Sequence, residues 1–147
     1  MTILVKKQMS EEDIKLNYIT PVILKGWKGH ITMETKITDG RINIRGNIVA
    51  RSKPKFADYM LYLNEGKPIA VVEAKDNNHS VSHGLQQAMT YAQMMDLPFA
   101  YSSNGDAFYE HDFLTGQEQQ IDLDKFPTQD ELVRMFITNL KSILKSG

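Results

Sequence analysis

Two apolar runs, Phe56-Ala57-Asp58-Tyr59-Met60-Leu61-Tyr62-Leu63 and Pro68-Ile69-Ala70-Val71-Val72-Glu73-Ala74-Lys75, flank the turn-forming tetrad Asn64-Glu65-Gly66-Lys67. Their β-branched and aromatic content predicts an antiparallel hairpin, strands 56–63 and 68–75, set inside a sheet. What constrains the fold is that Asp58, Glu73 and Lys75 fall within these runs. Charges among buried strands are costly unless they are paired or coordinated, so the structure has to bring partners to them. In a symmetric hairpin Leu63 faces Pro68, the numbers of facing residues total 131, and Asp58 stands opposite Glu73. Directly opposed residues place their Cβ atoms about 5 Å apart. Side chains alternate along a strand, so Glu73 and Lys75 share a face and all three groups converge. A slip of one residue would send Asp58 to the other face.

Two carboxylates that close repel unless something neutralises them. Lys75 supplies one positive charge and Mg²⁺ would supply two. That ion is held by one or two carboxylates together with waters and phosphate oxygens, and it can act on a bound water. The same three groups would also suit a structural ion triad, or charges that guard a sheet edge. Downstream, residues 80–95 carry Val81, Leu85, Ala88, Ala92 and Met95 at helical spacing, which predicts a helix with those residues in the core. Gln87 and Tyr91, four apart, lie one above the other beside that stripe, within reach of the charged patch or a phosphate. They would equally suit the exposed side of an amphipathic helix.

Taken together, Asp58, Glu73-x-Lys75 and Gln87-x-x-x-Tyr91 resemble the PD-(D/E)xK nuclease superfamily, in the subgroup that carries the extra Q-x-x-x-Y motif. Further segments occur in order: Lys53-Pro54-Lys55 ahead of Phe56, Pro98-Phe99-Ala100-Tyr101-Ser102-Ser103-Asn104-Gly105-Asp106, Glu110-His111-Asp112 and Phe126-Pro127-Thr128. With these, the chain from about Ser10 onward is similar to the N-terminal endonuclease domain of the R (HsdR) subunit of type I restriction-modification enzymes. The resemblance implies that Asp58, Glu73 and the main-chain carbonyl of Ala74 ligate Mg²⁺. It implies that Lys75 orients or helps deprotonate the attacking water and stabilises developing phosphate charge. Gln87 and Tyr91 would support Lys75 or touch DNA. The family also places an acid from the first helix near the metal; of Glu11, Glu12 and Asp13, we expect Glu12 or Asp13. Those acids equally suit helix capping, with Ser10 as the N-cap. Ala57 stands where the superfamily's name has proline, a position that varies.

The same resemblance implies double-stranded DNA as substrate, methyltransferase (M) and specificity (S) subunits as partners, and a bacterial cytoplasmic location. It makes residues 1–147 one nuclease domain at the front of a longer, motor-containing polypeptide. No G-x-x-x-x-G-K-[ST] occurs, so ATP is expected only at the motor region. Two other readings are a non-catalytic DNA-binding or docking module with a nuclease-like fold, and a PD-(D/E)xK nuclease from another repair or restriction system.

A chain of 147 residues can bury one real core, and 41% hydrophobic with 24% charged residues is ordinary globular composition. No apolar stretch is long enough for a membrane span, and the first residues lack a signal-peptide core. With no cysteine, disulfides and thiolate-bound metals are excluded. Charge is uneven. Residues 1–55 hold eleven Lys/Arg against five Asp/Glu, while residues 56–147 hold six against thirteen. Arg51, Lys53 and Lys55, preceded by Arg41 and Arg45, could lead a phosphate backbone towards Asp58, or form a solvated basic loop. His79 and His83 lack the H-E-x-x-H pattern and read as surface or phosphate-contacting residues. The expected order is a helix from 11 to about 24, bent or split at Pro21, then strands at 31–37, about 41–51, 56–63 and 68–75. The helix at 80–95, strands at 99–103 and 107–111 joined through Asn104-Gly105, and a helix at 129–144 complete it. The fold class is α/β, a mixed central sheet flanked by helices with a restriction-endonuclease-like core.

Overall fold

Ile14, Ile19, Ile23 and Trp27 are all fully buried, and their spacing of five, four and four sets the shape of the first helical stretch. A straight α-helix repeats at three and four residues, so the five-residue step requires a wider turn. The computed structural model, which describes residues 5–38, 53–64 and 66–146, shows that turn. Helix α1 (Glu11–Ile14) runs into a π-helical segment, Lys15–Ile19, and then into α2 (Thr20–Trp27). The Thr20 amide donates to the Lys15 carbonyl, five residues back. Pro21, in the first turn of α2, explains the shift. Proline has no N–H, and its ring would collide with a carbonyl one α-turn earlier, so the widened turn absorbs the conflict. The expected bend or split at Pro21 is instead a π-helical segment just ahead of it, and the helical stretch extends to Trp27. Ser10 caps it, its hydroxyl accepting from the Asp13 amide at 3.1 Å.

Among the described residues six strands follow in one sheet, ordered as they occur: β1 (Ile31–Lys36), β2 (Phe56–Asn64), β3 (Lys67–Ala74), β4 (Phe99–Ser103), β5 (Ala107–Asp112) and β6 (Glu118–Asp122). Among the described residues only β3 and β4 pair in parallel, with α3 (Leu85–Met94) as the crossover; the other pairings are antiparallel. The expected strand at about 41–51 lies outside the described residues. Strand β6 was not expected: its sequence, Glu-Gln-Gln-Ile-Asp, is almost wholly polar and carries no strand signal of its own. It forms because it is an edge, hydrogen-bonded to β5 on one side, with His111 Nδ1 2.7 Å from Glu118 Oε2.

The hairpin keeps the predicted register over Tyr59↔Val72, Met60↔Val71 and Leu61↔Ala70. Near the turn it departs: Tyr62 pairs with Pro68, so Leu63 does not face Pro68, and the register returns at Asn64↔Lys67. Two compensating irregularities, one on each strand, fit a proline that cannot donate to the ladder. The turn closes through Gly66 at φ +76, a conformation that favours glycine.

Both faces of the sheet are covered. Tyr59, Leu61, Ala70, Val72, Phe99, Tyr101 and Phe108 pack with α1–α2 and with Leu132 of α4 (Gln129–Ser146). Met60, Val71 and Ala100 pack with Ala88, Tyr91 and Ala92 of α3. Two-sided burial is why the central strands read as continuous apolar runs. Helix α3 begins at Leu85 rather than Ser80. The preceding Ser80-Val81-Ser82-His83-Gly84 forms turns instead, with His83 N donating to Ser80 O and Leu85 N to Ser82 O. Leu85, Ala88 and Ala92 are buried as predicted, while Val81 and Met95 are only half-buried.

Candidate active site

The last bridged pair of the β2–β3 ladder is Tyr59↔Val72, and Asp58 and Glu73 lie one rung beyond it. There the carboxylates take over as backbone partners. The Asp58 amide donates to Glu73 Oε2 at 2.8 Å, and the Ala74 amide donates to Asp58 Oδ2 at 2.8 Å. The two acids are thus interlocked across the end of the hairpin, as the predicted register required. Lys75 is half-buried and follows directly, its amide donating to the Ser103 carbonyl at 2.9 Å, so the parallel pairing with the β4 side holds it in line. A Cβ placed on Gly84 would stand 3.4 Å from Glu73 Cβ and 3.5 Å from Lys75 Cγ, which puts both stems against the turn that opens α3. It would also meet Ser102 Oγ at 2.9 Å, so a residue without a side chain is required there.

Electrostatics follow from this placement. Glu73 is 4% exposed. Burial, and then the neighbouring Asp58 charge, push its carboxyl up to about 8, against the hydrogen bond from the Asp58 amide and the attraction of Lys75. Glu11 is raised as well, by burial and then by Asp58. No ion pair ties Lys75 to another described residue, although its charge lowers both acids.

Helix α1 supplies an acid to this neighbourhood, but it is Glu11, whose charge interacts with Asp58, Lys75 and Glu73. Glu12, one of the two expected, turns instead to Lys15 at 2.9 Å, and the Asp13 amide is held by the Ser10 cap. Of the three acids it is Glu11, not Glu12 or Asp13, whose charge acts on Glu73 directly, while Glu12 reaches Asp58 through the shared Lys15.

Lys15 is the residue that sequence reasoning missed. Its side chain is 2% exposed, and its ammonium lies 2.9 Å from Glu12 Oε1, 3.0 Å from Glu34 Oε1 and 3.4 Å from Asp58 Oδ1. Burial alone would depress a lysine, but the hydrogen bonds it donates to Glu12 and Glu34 and the charge of Asp58 outweigh it and hold Lys15 well above the ordinary value. A charged residue at a position where the helical stripe calls for an apolar one was the signal available in the sequence.

Gln87 and Tyr91 do pair, the Gln87 side-chain amide contacting the Tyr91 hydroxyl. Tyr91 is 6% exposed and packs in the core beneath α3, whereas Gln87 is exposed. Among the described residues neither makes a hydrogen bond to Asp58, Glu73 or Lys75. Lys53 and Lys55 are exposed ahead of β2, the Lys55 carbonyl accepting from Ile37 N; Arg51, with Arg41 and Arg45, lies outside the described residues. The loop after Lys75 is pinned by Asn77 Nδ2 to the Asn104 carbonyl and by Asn104 Nδ2 to the His79 carbonyl, both fully satisfied within the fold. His79 and His83 rings meet at a tilt of 43° with centres 4.4 Å apart, and His79 Nδ1 lies 3.0 Å from Asp76 Oδ1.

The donor set near the ladder end consists of carboxylate and carbonyl oxygens, which fits a hard divalent cation rather than zinc. Among the described residues no three His, Cys, Asp or Glu side chains form a metal cage by themselves. Mg²⁺ does not require one, since it keeps waters and takes oxygens from a substrate phosphate. Two interlocked carboxylates, one of them buried with its charge under-compensated, fit such an ion.

A mixed six-stranded sheet between helices, with this hairpin at its centre, defines an α/β domain of the restriction-endonuclease-like class. Residues 27–127 match the sequence family described as type I restriction enzyme R protein N terminus, and the chain belongs to that family. It is 40% identical over 135 residues to the type I restriction enzyme EcoAI endonuclease subunit of Escherichia coli, a match covering 87% of this chain and 17% of that protein. It also matches a fragment structure of an HsdR subunit of a type I restriction enzyme from Vibrio vulnificus YJ016. That match has a TM-score of 0.75 and 41% identity, covering 89% of this chain and 26% of the other. The chain thus spans about a sixth of the length of the curated relative. Among the described residues no helix is long and apolar enough to cross a membrane.

Proposed function

We propose that this chain is the Mg²⁺-dependent endonuclease domain of a type I restriction R subunit and hydrolyses phosphodiester bonds of double-stranded DNA. The observation that carries the reading is the interlocked Asp58–Glu73 pair with Lys75 one residue past the strand end, because buried acids placed together favour a bound cation. Asp58, Glu73 and the Ala74 carbonyl would hold Mg²⁺, which when bound supplies Lewis-acid stabilisation of phosphate charge. Lys75 positions a water for in-line attack and offsets charge that develops on the phosphate oxygens. Glu11 adds a further oxygen at the rim, and exposed Gln87, held by the hydroxyl of buried Tyr91, lines the approach along α3. Exposed Lys53 and Lys55 meet the DNA backbone. Recognition of sequence and ATP-driven movement belong to other parts of the assembly: M and S subunits, and the remainder of a long R polypeptide in the bacterial cytoplasm.

The test is Mg²⁺-dependent DNA cleavage by the full-length subunit assembled with its modification partners, wild type against Lys75→Ala. Loss of cleavage with ATP hydrolysis and folding retained is expected. Unchanged cleavage would leave the three charged groups as a structural triad and place the nuclease elsewhere.

A further inference from the structure

We propose that Lys15 is a built-in counter-ion for Asp58 that holds the carboxylate in place when no metal is bound and lowers the affinity of the site for divalent metal. The proposal rests on the metal-site reading above and adds to it a residue on a different element. Three observations carry it.

First, the Lys15 ammonium is enclosed by Glu12, Glu34 and Asp58 oxygens at 2.9, 3.0 and 3.4 Å, the longest contact being to Asp58. Glu12 and Glu34 side chains are largely exposed, at 76% and 59%, and need no buried partner of their own. The partner that does need one is Asp58, at 15%. Second, the chain accepts backbone strain to build the cage. Glu34 adopts φ +48, a left-handed conformation that is strained for a non-glycine residue. It sits on β1 between the pairs Met33↔Tyr59 and Thr35↔Ala57, across from Asp58, and the kink turns its carboxylate onto Lys15. Third, Lys15 opens the π-helical segment, whose widened turn lets Ile14 and Ile19 both be buried with Lys15 beside them. Such turns concentrate at functional positions.

A cation on Asp58 would lie within a few ångströms of the Lys15 charge, a repulsion that weakens binding. Lys15 therefore acts opposite to Lys75: it stabilises the metal-free site, while Lys75 faces the substrate side. Asp58 would exchange part of its bond to Lys15 for a metal, with Glu12 and Glu34 keeping the ammonium satisfied.

Mn²⁺ binding to the chain without DNA tests this, with free Mn²⁺ counted by electron paramagnetic resonance and folding checked by circular dichroism. Lys15→Gln should bind Mn²⁺ about tenfold more tightly than wild type, and Lys15→Arg, which keeps the charge, should stay near wild type. Unchanged or weaker binding in Lys15→Gln would overturn the proposal, since a purely structural lysine can only lose affinity when removed. If Lys15→Gln does not fold, Lys15→Met, which keeps the buried stem, carries the same expectation; failure of both to fold would assign Lys15 to structure and overturn it. Asp58→Asn separates the two ideas. Mn²⁺ binding that survives Asp58→Asn would remove the metal from Asp58 whatever Lys15 does. Binding that depends on Asp58 but ignores Lys15 would sink only the counter-ion. Absence of binding in wild type and in both neutral variants would overturn the two together.

Discussion

Replacing Glu73 by glutamine should stabilise the metal-free domain, and more so as pH rises. Glu73 is 4% exposed, and its carboxyl in the fold titrates at about 8 against 4.5 for an ordinary glutamate. The folded state therefore binds this proton more tightly than the unfolded chain. That support for folding is complete below pH 4.5 and is withdrawn as pH climbs towards 8. At 1.36 kcal/mol per unit, the full shift corresponds to a ceiling of about 4–5 kcal/mol at alkaline pH, and to less than about 1 kcal/mol at pH 5. The gap at the end of the ladder lets water and neighbouring side chains relax, so roughly half the ceiling, ~2 kcal/mol, is expected. For a chain of this size that raises the melting temperature by about 4–8 °C. Glutamine is nearly isosteric and its amide oxygen can still accept from the Asp58 amide. The assay is thermal unfolding of both proteins in chelator at pH 5 and pH 8.5; the wild-type curve should fall behind at the higher pH, and added Mg²⁺ should return it. Equal destabilisation of Glu73→Gln at both values would refute the argument, because it would make the carboxylate a net-favourable structural partner rather than an acid held for a cation.

Because Glu73 is largely protonated at pH 7, Mg²⁺ binding there should release close to one proton, seen as a buffer-dependent enthalpy in calorimetry; enthalpies that ignore the buffer would contradict this. Gly84→Ala should lower stability by about 1–3 kcal/mol and depress cleavage, since the new methyl meets Ser102 Oγ at 2.9 Å and presses on the Glu73 and Lys75 stems. A variant that melts and cleaves as wild type would show that the α3 entry turn does not support the site. Gln87→Ala, at an exposed position, should shift stability by less than about 0.5 kcal/mol while reducing cleavage in the assembled enzyme, and full activity would take Gln87 out of the site.

The sequence by itself determined the hairpin and its register away from the turn, because two apolar runs bounded by an Asn-Glu-Gly-Lys turn leave few ways to bury both. That register was enough to place Asp58 beside Glu73 and to put Lys75 on the side of Glu73. The ordered segments from Lys53 to Thr128 were enough to identify the family. Helix α3 was legible in its buried stripe but not in its start, since serines and a glycine stabilise turns as readily as a helix end. Strand β6 was not legible at all, because an edge strand is defined by its neighbour rather than by apolar content.

Tertiary structure alone decided which acid of α1 faces the ladder end, because a shift of one residue turns a side chain by about 100° and only packing of Ile14, Ile19, Ile23 and Trp27 fixes the phase. It also decided that Lys15 is buried against Asp58. The spacing of five and the following Pro21 were visible in the chain, but the consequence depends on Glu34 of β1 arriving from nineteen residues away and Asp58 from forty-three. Local pattern fixes what neighbours along the chain can do to one another. The site is made of charges whose energies depend on distances between elements, and those exist only once the sheet and helices have packed.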